Sequence, residues 1–161
     1  MRSHVETSTQ QVRSQDLERV SRKVVGAACA IVLLHTALVF AGWAFRDPWL
    51  INFPFPSRYS TTPLTAVGLL LCSMVLWLRR SDEALTSERR WTAWLVTTMV
   101  VLLGALVLWE YAFSQDPGID RLLFPESVTA LLQTFPGRPP LATGLALVAV
   151  GVALACLDVK S

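Results

Sequence analysis

Three sets of ionisable residues could carry chemistry in this sequence, and each lies in or beside a long apolar segment. Glu110 lies near the end of WTAWLVTTMVVLLGALVLWEYAF, and His35 lies in the middle of VVGAACAIVLLHTALVFAGWAF. Asp116, Asp120 and Glu126 follow the segment that contains Glu110. An acid inside a membrane can bind a ligand or relay protons. An imidazole can bind haem or a metal or sense pH, and clustered carboxylates can bind a hard cation.

For each set, a structural role is the stronger hypothesis. Glu110 lies close to the end of its segment, where an arginine at a neighbouring helix start, Arg138 or Arg58, could pair with it. His35 cannot supply both ligands of a bis-histidine haem within a monomer, although a dimer could, so an interhelical hydrogen bond is expected instead. The acids near Asp116 match no cation-loop spacing, and an aspartate before a proline is typical of a turn. We therefore expect no cofactor, no metal and no enzymatic activity.

The apolar segments define the class of protein. The chain is 53% hydrophobic and only 16% charged, and its charges are grouped between four apolar segments. A helix needs about 20 residues to cross the hydrocarbon core of a bilayer. Lipid offers no hydrogen-bond partners, so continuous apolar segments of this length favour helices. The sequence predicts an all-α membrane protein with four transmembrane helices at 24–45, 59–78, 91–113 and 139–157.

Basic residues predict the orientation of these helices. Ten of the fourteen lysines and arginines lie in the N-terminal leader, the connector between the second and third helices, and the C-terminal tail. Positive charge accumulates on the cytoplasmic side of membrane proteins. Tryptophan and tyrosine residues gather near the proposed boundaries, as expected for interfacial side chains. We expect a multi-pass protein of the inner (plasma) membrane with both termini in the cytoplasm.

The chain also contains an internal repeat. ALVFAGWAFRDP resembles ALVLWEYAFSQDP, and PSRYSTTPLTAVGLLL resembles PGRPPLATGLALVAV, with Thr65 and Thr143 at equivalent positions. Two hairpins in the same orientation form a parallel repeat. The last helix has many small residues and is expected to pack most centrally. The predicted parts are a basic leader (1–23), a first hairpin (24–80), a connector (81–90) and a second hairpin (91–161), whose outer lid loop (114–138) contains a short helix over 126–134.

A family resemblance covers the second hairpin. WEYAFSQDPGIDRLLFPE, followed by PGRPPLATGLALVAVGVAL, resembles the N-terminal membrane region of bacterial sensor proteins that continue into PAS, histidine-kinase or diguanylate-cyclase modules. Glu110 and Tyr111 match a Glu/Gln-Tyr pair in that family. The segment around Asp120 matches a Gly-Ile-Asp-x-Leu-Leu-Phe pattern, and Arg138 lies in a matching Pro-Gly-Arg. Pro139 stands in place of the usual methionine, and no effector module follows in this sequence.

The resemblance implies a membrane-embedded sensory or anchoring input module of a signal-transduction protein, with an unidentified ligand. The alternative is a small accessory subunit of a larger membrane complex. The expected partners are the lipid bilayer and either a second copy, a signalling effector or a larger complex, and no nucleic acid. The candidate sensory or structural residues are Glu110, Tyr111, Asp116, Asp120, Arg138, Arg58, His35, Thr65 and Thr143.

Overall fold

The chain folds into α-helices. The computed structural model describes residues 2–53, 61–79, 86–115, 118–119, 123–131 and 138–156, and within these ranges it contains no β-strand. The predicted all-α class is therefore confirmed for the described residues. The helices are α1 (Arg2–Phe45), α2 (Pro48–Ile51), α3 (Pro63–Leu78), α4 (Ser87–Phe113), α5 (Pro125–Leu131) and α6 (Leu141–Cys156).

The ends of the helices follow from local chemistry. The polar leader and the first apolar segment form one continuous helix, α1, which contains no proline or glycine before residue 26 to interrupt it. Helix α3 starts at Pro63, four residues later than predicted, where proline needs no hydrogen-bond partner for its nitrogen. The Thr62 hydroxyl accepts a hydrogen bond from the Thr65 backbone N–H at 3.4 Å and caps this helix.

Two helical segments are long and apolar enough to cross a membrane. They are Arg19–Phe45 and Ser87–Phe113, with 27 residues each. Helices α3 and α6 are also apolar, but each has 16 residues and would span about 24 Å at 1.5 Å per residue. The two long segments indicate a membrane location. We propose below that all four helices cross the membrane.

All four long helices expose large apolar side chains on the outside of the bundle. Ile31 of α1 is 68% exposed, Leu102 of α4 is 63% exposed and Leu145 of α6 is 55% exposed. Met74 of α3 is 43% exposed. Soluble monomers rarely expose continuous apolar surface of this kind, whereas lipid-facing helices do so by necessity.

The helices pack as two hairpins joined through α3 and α4. Helix α1 packs mainly on α3, α4 packs mainly on α6, and the contact between α3 and α4 joins the two pairs. Helix α3 thus contacts α1, α4 and α6. The expectation that the last helix packs most centrally is wrong, because most of the α6 surface faces outward and only Gly144, Leu147, Gly151 and Leu154 are buried.

The two hairpins share details that support the predicted repeat. Helices α1 and α4 both end at a phenylalanine and are followed by a residue in the left-handed conformation, Arg46 with φ 56° and Ser114 with φ 51°. An aromatic side chain near each end then donates a hydrogen bond to the backbone carbonyl two residues before the next helix. Trp43 Nε1 donates to Thr61 O at 2.9 Å, and Tyr111 Oη donates to Pro139 O at 3.0 Å.

A buried cluster fixes the outer end of the first hairpin. Val39 and Trp43 of α1, Ile51 of α2, Ala66 of α3 and Val128 of α5 form this cluster. Trp43 is fully buried because α2 and α5 cover it. Helix α5 comes from the outer loop of the second hairpin, so this cluster also joins the two hairpins.

Close backbone contact joins α4 to α6. A Cβ atom at Gly104 would lie 2.9 Å from the Gly144 carbonyl oxygen and 2.9 Å from the Val148 backbone nitrogen. Real Cβ atoms do not approach backbone atoms this closely, so only glycine allows this helix separation. Small residues at such contacts are a common way of packing membrane helices.

We predict that Gly104→Val lowers the free energy of unfolding by about 2 kcal/mol, because the added atoms force α4 and α6 apart. Ala105→Val is the matched control, since Ala105 is the next residue and faces outward. Thermal unfolding of both variants in detergent micelles, followed by circular dichroism, checks the prediction. Equal stability of the two variants would contradict the close contact.

Candidate functional site

Glu110 is a buried acid on the packed face of α4. Its side chain is 1% exposed, and the same face buries Val100, Gly104 and Val107 along the helix. This face turns toward α3 and α6 rather than toward the surroundings. A carboxylate in such a place requires a charged or hydrogen-bonding neighbour, because its desolvation is otherwise costly.

Arg138 lies beside this carboxylate. Arg138 Nε is 3.7 Å from Glu110 Oε2, and the arginine side chain is only 13% exposed. The distance defines an ion pair but is longer than a hydrogen bond. Of the two arginines that the sequence offered as partners, the structure places Arg138 next to Glu110, whereas Arg58 lies outside the described residues.

Tyr111 completes the group. The Arg138 guanidinium lies over the Tyr111 ring, 4.0 Å from its centre, which is a favourable cation–π geometry. The Tyr111 hydroxyl also donates its hydrogen bond to the Pro139 carbonyl. We call Glu110, Tyr111, Arg138 and Pro139 the outer charged cluster. It fastens the end of α4 to the residues that lead into α6.

This arrangement favours a positioning role over chemistry. The Glu110 carboxylate is buried beside Arg138, so a ligand could reach it only if the surrounding side chains moved. Among the described residues, no three histidine, cysteine or acidic side chains group as a metal site. The outer charged cluster can thus hold one helix arrangement or, when broken, release another.

The acids of the outer loop are only partly described. Asp116 and Asp120 lie outside the described residues. Glu126 of α5 pairs with Arg46 at the end of α1, where Arg46 Nη2 and Glu126 Oε2 lie 2.5 Å apart. Both side chains are exposed, so solvent screens this pair and its contribution to stability is small. The pair does, however, connect the outer segment of the second hairpin to the first hairpin.

His35 lies in a groove between α1 and α3. The groove has a volume of about 360 Å³, and its lining includes Leu38 of α1, Leu69 of α3 and Phe53, which follows α2. The sequence predicted an interhelical hydrogen bond for His35. No hydrogen bond joins its imidazole to another described residue, and an interhelical hydrogen bond of His35 stays a prediction.

The equivalent threonines Thr65 and Thr143 line a second groove, between α3 and α6, with a volume of about 390 Å³. Leu69 and Leu147 line this groove too, and so do Cys72 and Val150. Each of these pairs occupies equivalent positions in the two repeats, so the groove lies where the repeats face each other. Thr65 also shares a hydrogen bond with the Thr62 hydroxyl, at 2.9 Å between the oxygens.

Sequence reasoning missed the role of Trp43 and of Gly42. Trp43 forms the hydrogen bond in the first hairpin that Tyr111 forms in the second. Gly42 stands at the position equivalent to Glu110, and a Cβ atom there would lie 2.7 Å from the Ile51 backbone nitrogen. The aligned repeats already contained this signal, because they place Trp43 beside Tyr111 and a glycine beside the buried acid.

We predict that Arg138→Leu lowers the free energy of unfolding by about 3 kcal/mol, because it leaves the Glu110 carboxylate buried without this cation. The double variant Glu110→Leu with Arg138→Leu should regain at least half of that loss. Arg46→Leu, which breaks the exposed pair, is the control and should cost about 1 kcal/mol or less. Thermal unfolding in detergent measures the stability of all three variants. A double variant that is less stable than Arg138→Leu would contradict the proposed pairing.

Comparison with known proteins adds a partial similarity. No family model matches the chain, and no solved structure matches it. The chain is 29% identical over 101 residues to cytochrome b of Sulfolobus acidocaldarius, and the match covers 60% of this chain. It covers 16% of the length of that cytochrome b. Together with the two long apolar helices, this similarity to part of a membrane protein points to a membrane location.

Proposed function

We propose that this chain is a membrane-embedded sensory or anchoring input module of a bacterial signal-transduction protein. One observation carries the proposal: the outer segment between α4 and α6 contacts both hairpins before it continues into α6. Val128 of α5 belongs to the buried cluster of the first hairpin, and Arg138 pairs with Glu110 of the second. A stimulus that displaces this segment would therefore also displace the start of α6.

Signalling of this kind needs two packed arrangements whose populations the stimulus biases. The outer charged cluster suits such an element, because breaking a buried ion pair changes stability by several kcal/mol. Helix α6 leads toward the C-terminal side, where the sensor proteins that the sequence resembles carry their effector modules.

The proposal includes four transmembrane helices in the inner membrane, with both termini on its cytoplasmic side. The apolar surfaces of α1, α3, α4 and α6 support it, and so do the ten basic residues on the predicted inner side. The exposed tryptophans also support it: Trp49 and Trp109 lie near the proposed outer boundary, and Trp77 and Trp91 near the inner one.

A second candidate function is that of a small subunit in a larger membrane complex. The outward face of α6 presents Ala142, Ala146, Ala149 and Ala153, whose small side chains would permit close contact with a partner helix. The partner would be a second copy or another membrane subunit.

The described side chains do not fit a haem held between two histidines. His35 is the one histidine whose side chain the structure describes, and it lies on the α1/α3 groove rather than opposite a second imidazole.

Measuring the mass of the native polypeptide from its own membranes separates the two functions. An antibody to this sequence would recover the protein in mild detergent, and mass spectrometry would then measure the intact chain. A chain much heavier than 17.8 kDa, carrying an effector module, supports the input module. A chain of this mass that co-purifies stoichiometrically with other membrane proteins supports the accessory subunit.

We predict that Gln115→Cys reacts with a membrane-impermeant maleimide in intact cells, whereas Glu88→Cys reacts only after the membrane is opened. Both residues are exposed, at opposite ends of α4. The variants are made after Cys29, Cys72 and Cys156 have been replaced by alanine, so each carries a single thiol. The reverse pattern, or labelling of both thiols in intact cells, would contradict the proposed orientation.

A further inference from the structure

We infer that the groove between α1 and α3 binds a neutral, membrane-dissolved molecule that carries a hydroxyl or carbonyl group on an apolar body. The groove has a volume of about 360 Å³, which is within the range of small-molecule sites. Its lining is apolar except for one imidazole: Ile31, Leu34, Leu38, Phe53 and Leu69 surround His35. Such sites typically combine an apolar wall with a few polar groups that orient the ligand.

The polar side chain of His35 is the reason to expect a ligand in this groove. Its neighbour Thr36 satisfies its hydroxyl within the helix, where Thr36 Oγ1 donates a hydrogen bond to the Val32 carbonyl at 2.7 Å. The imidazole of His35 makes no hydrogen bond to another described residue, yet it faces an apolar groove. A polar group in hydrocarbon without a hydrogen bond is costly. A ligand oxygen in the groove would remove that cost, because neutral imidazole has both a donor and an acceptor nitrogen.

The depth and charge of the site decide the class of ligand. His35 lies ten residues before the outer end of α1, which places it about 15 Å along the helix from that end. A phospholipid headgroup remains at the interface and would not reach this depth, given the membrane placement proposed above. Among the described residues, no charged side chain lines the groove. The ligand is therefore a neutral molecule whose polar oxygen enters the hydrocarbon region together with its apolar part.

Phe53 gives the groove an outer boundary. It follows α2, which packs against Gly42 of α1, so the ring is held at the outer end of the groove. The rings of Phe53 and Trp49 also contact each other in a tilted arrangement, with their centres 5.4 Å apart, which supports that position. The ligand would thus enter sideways from the lipid and not from the outer aqueous surface.

The test uses the small number of histidines in the chain. The chain has two, so the His4→Ala variant with ¹⁵N-labelled histidine gives imidazole signals from His35 alone. The full chain in lipid nanodiscs would be titrated with farnesol and with farnesylacetone, which carry a hydroxyl and a carbonyl on an isoprenoid body. Farnesane, the saturated hydrocarbon without oxygen, is the matched control. We expect saturable shifts of the His35 nitrogen signals with at least one oxygen-bearing probe and none with farnesane.

Two variants locate the effect in the groove. Leu38→Trp fills it and should weaken the affinity for the active probe at least tenfold. Leu102→Trp places the same side chain on the exposed face of α4, where it lines neither groove, and should leave the affinity unchanged. His35→Leu should fold, since it removes a polar group, and its melting temperature should rise equally with the probe and with farnesane.

These measurements can overturn the binding site without deciding the proposed function. Absent shifts with both oxygen-bearing probes, or equal shifts with farnesane, would overturn the binding site. An affinity unchanged by Leu38→Trp would do the same. The thiol labelling described above tests membrane orientation independently, so failure of the site and failure of the membrane arrangement give different results.

Discussion

Two hydrogen bonds from aromatic rings to backbone carbonyls determine how each half of this protein closes. Trp43 and Tyr111 each reach from the end of a long helix to the residues just before the next one. Carbonyls at such places have no partner within a helix, and lipid offers none. The bond therefore stabilises the return of the chain between α1 and α3 in one hairpin and between α4 and α6 in the other.

The two halves use this closure differently. In the first hairpin, Gly42 lets α2 pack directly on α1, and the outer end becomes an apolar cluster around Trp43. In the second hairpin, Glu110 stands at the equivalent position and attracts Arg138 instead. The end of one half thus closes by apolar packing and the end of the other by charge. A protein built from two copies of a unit can in this way use different interactions at equivalent positions.

Much of the helical structure could be predicted from the sequence, because apolar segments of sufficient length have few alternatives in a membrane. The pairing of Glu110 with an arginine could also be proposed, since the aligned hairpins placed Arg138 at a helix start. The burial of Trp43 could not, because it depends on α2, which was not predicted, and on the packing of α5 against the first hairpin. Likewise the single imidazole of His35 could not be assigned to a groove before the packing of α3 on α1 was known.

Leu69 of α3 lines both grooves, so one side chain forms a wall of each. A leucine that turns toward α1 to close on a molecule there withdraws from the groove beside α6, and the reverse also holds. The widths of the two grooves are therefore linked through the rotamers of a single residue. A ligand that favours one Leu69 rotamer in its own groove would therefore change the affinity of the other groove, and by thermodynamic reciprocity the influence would be equal in both directions.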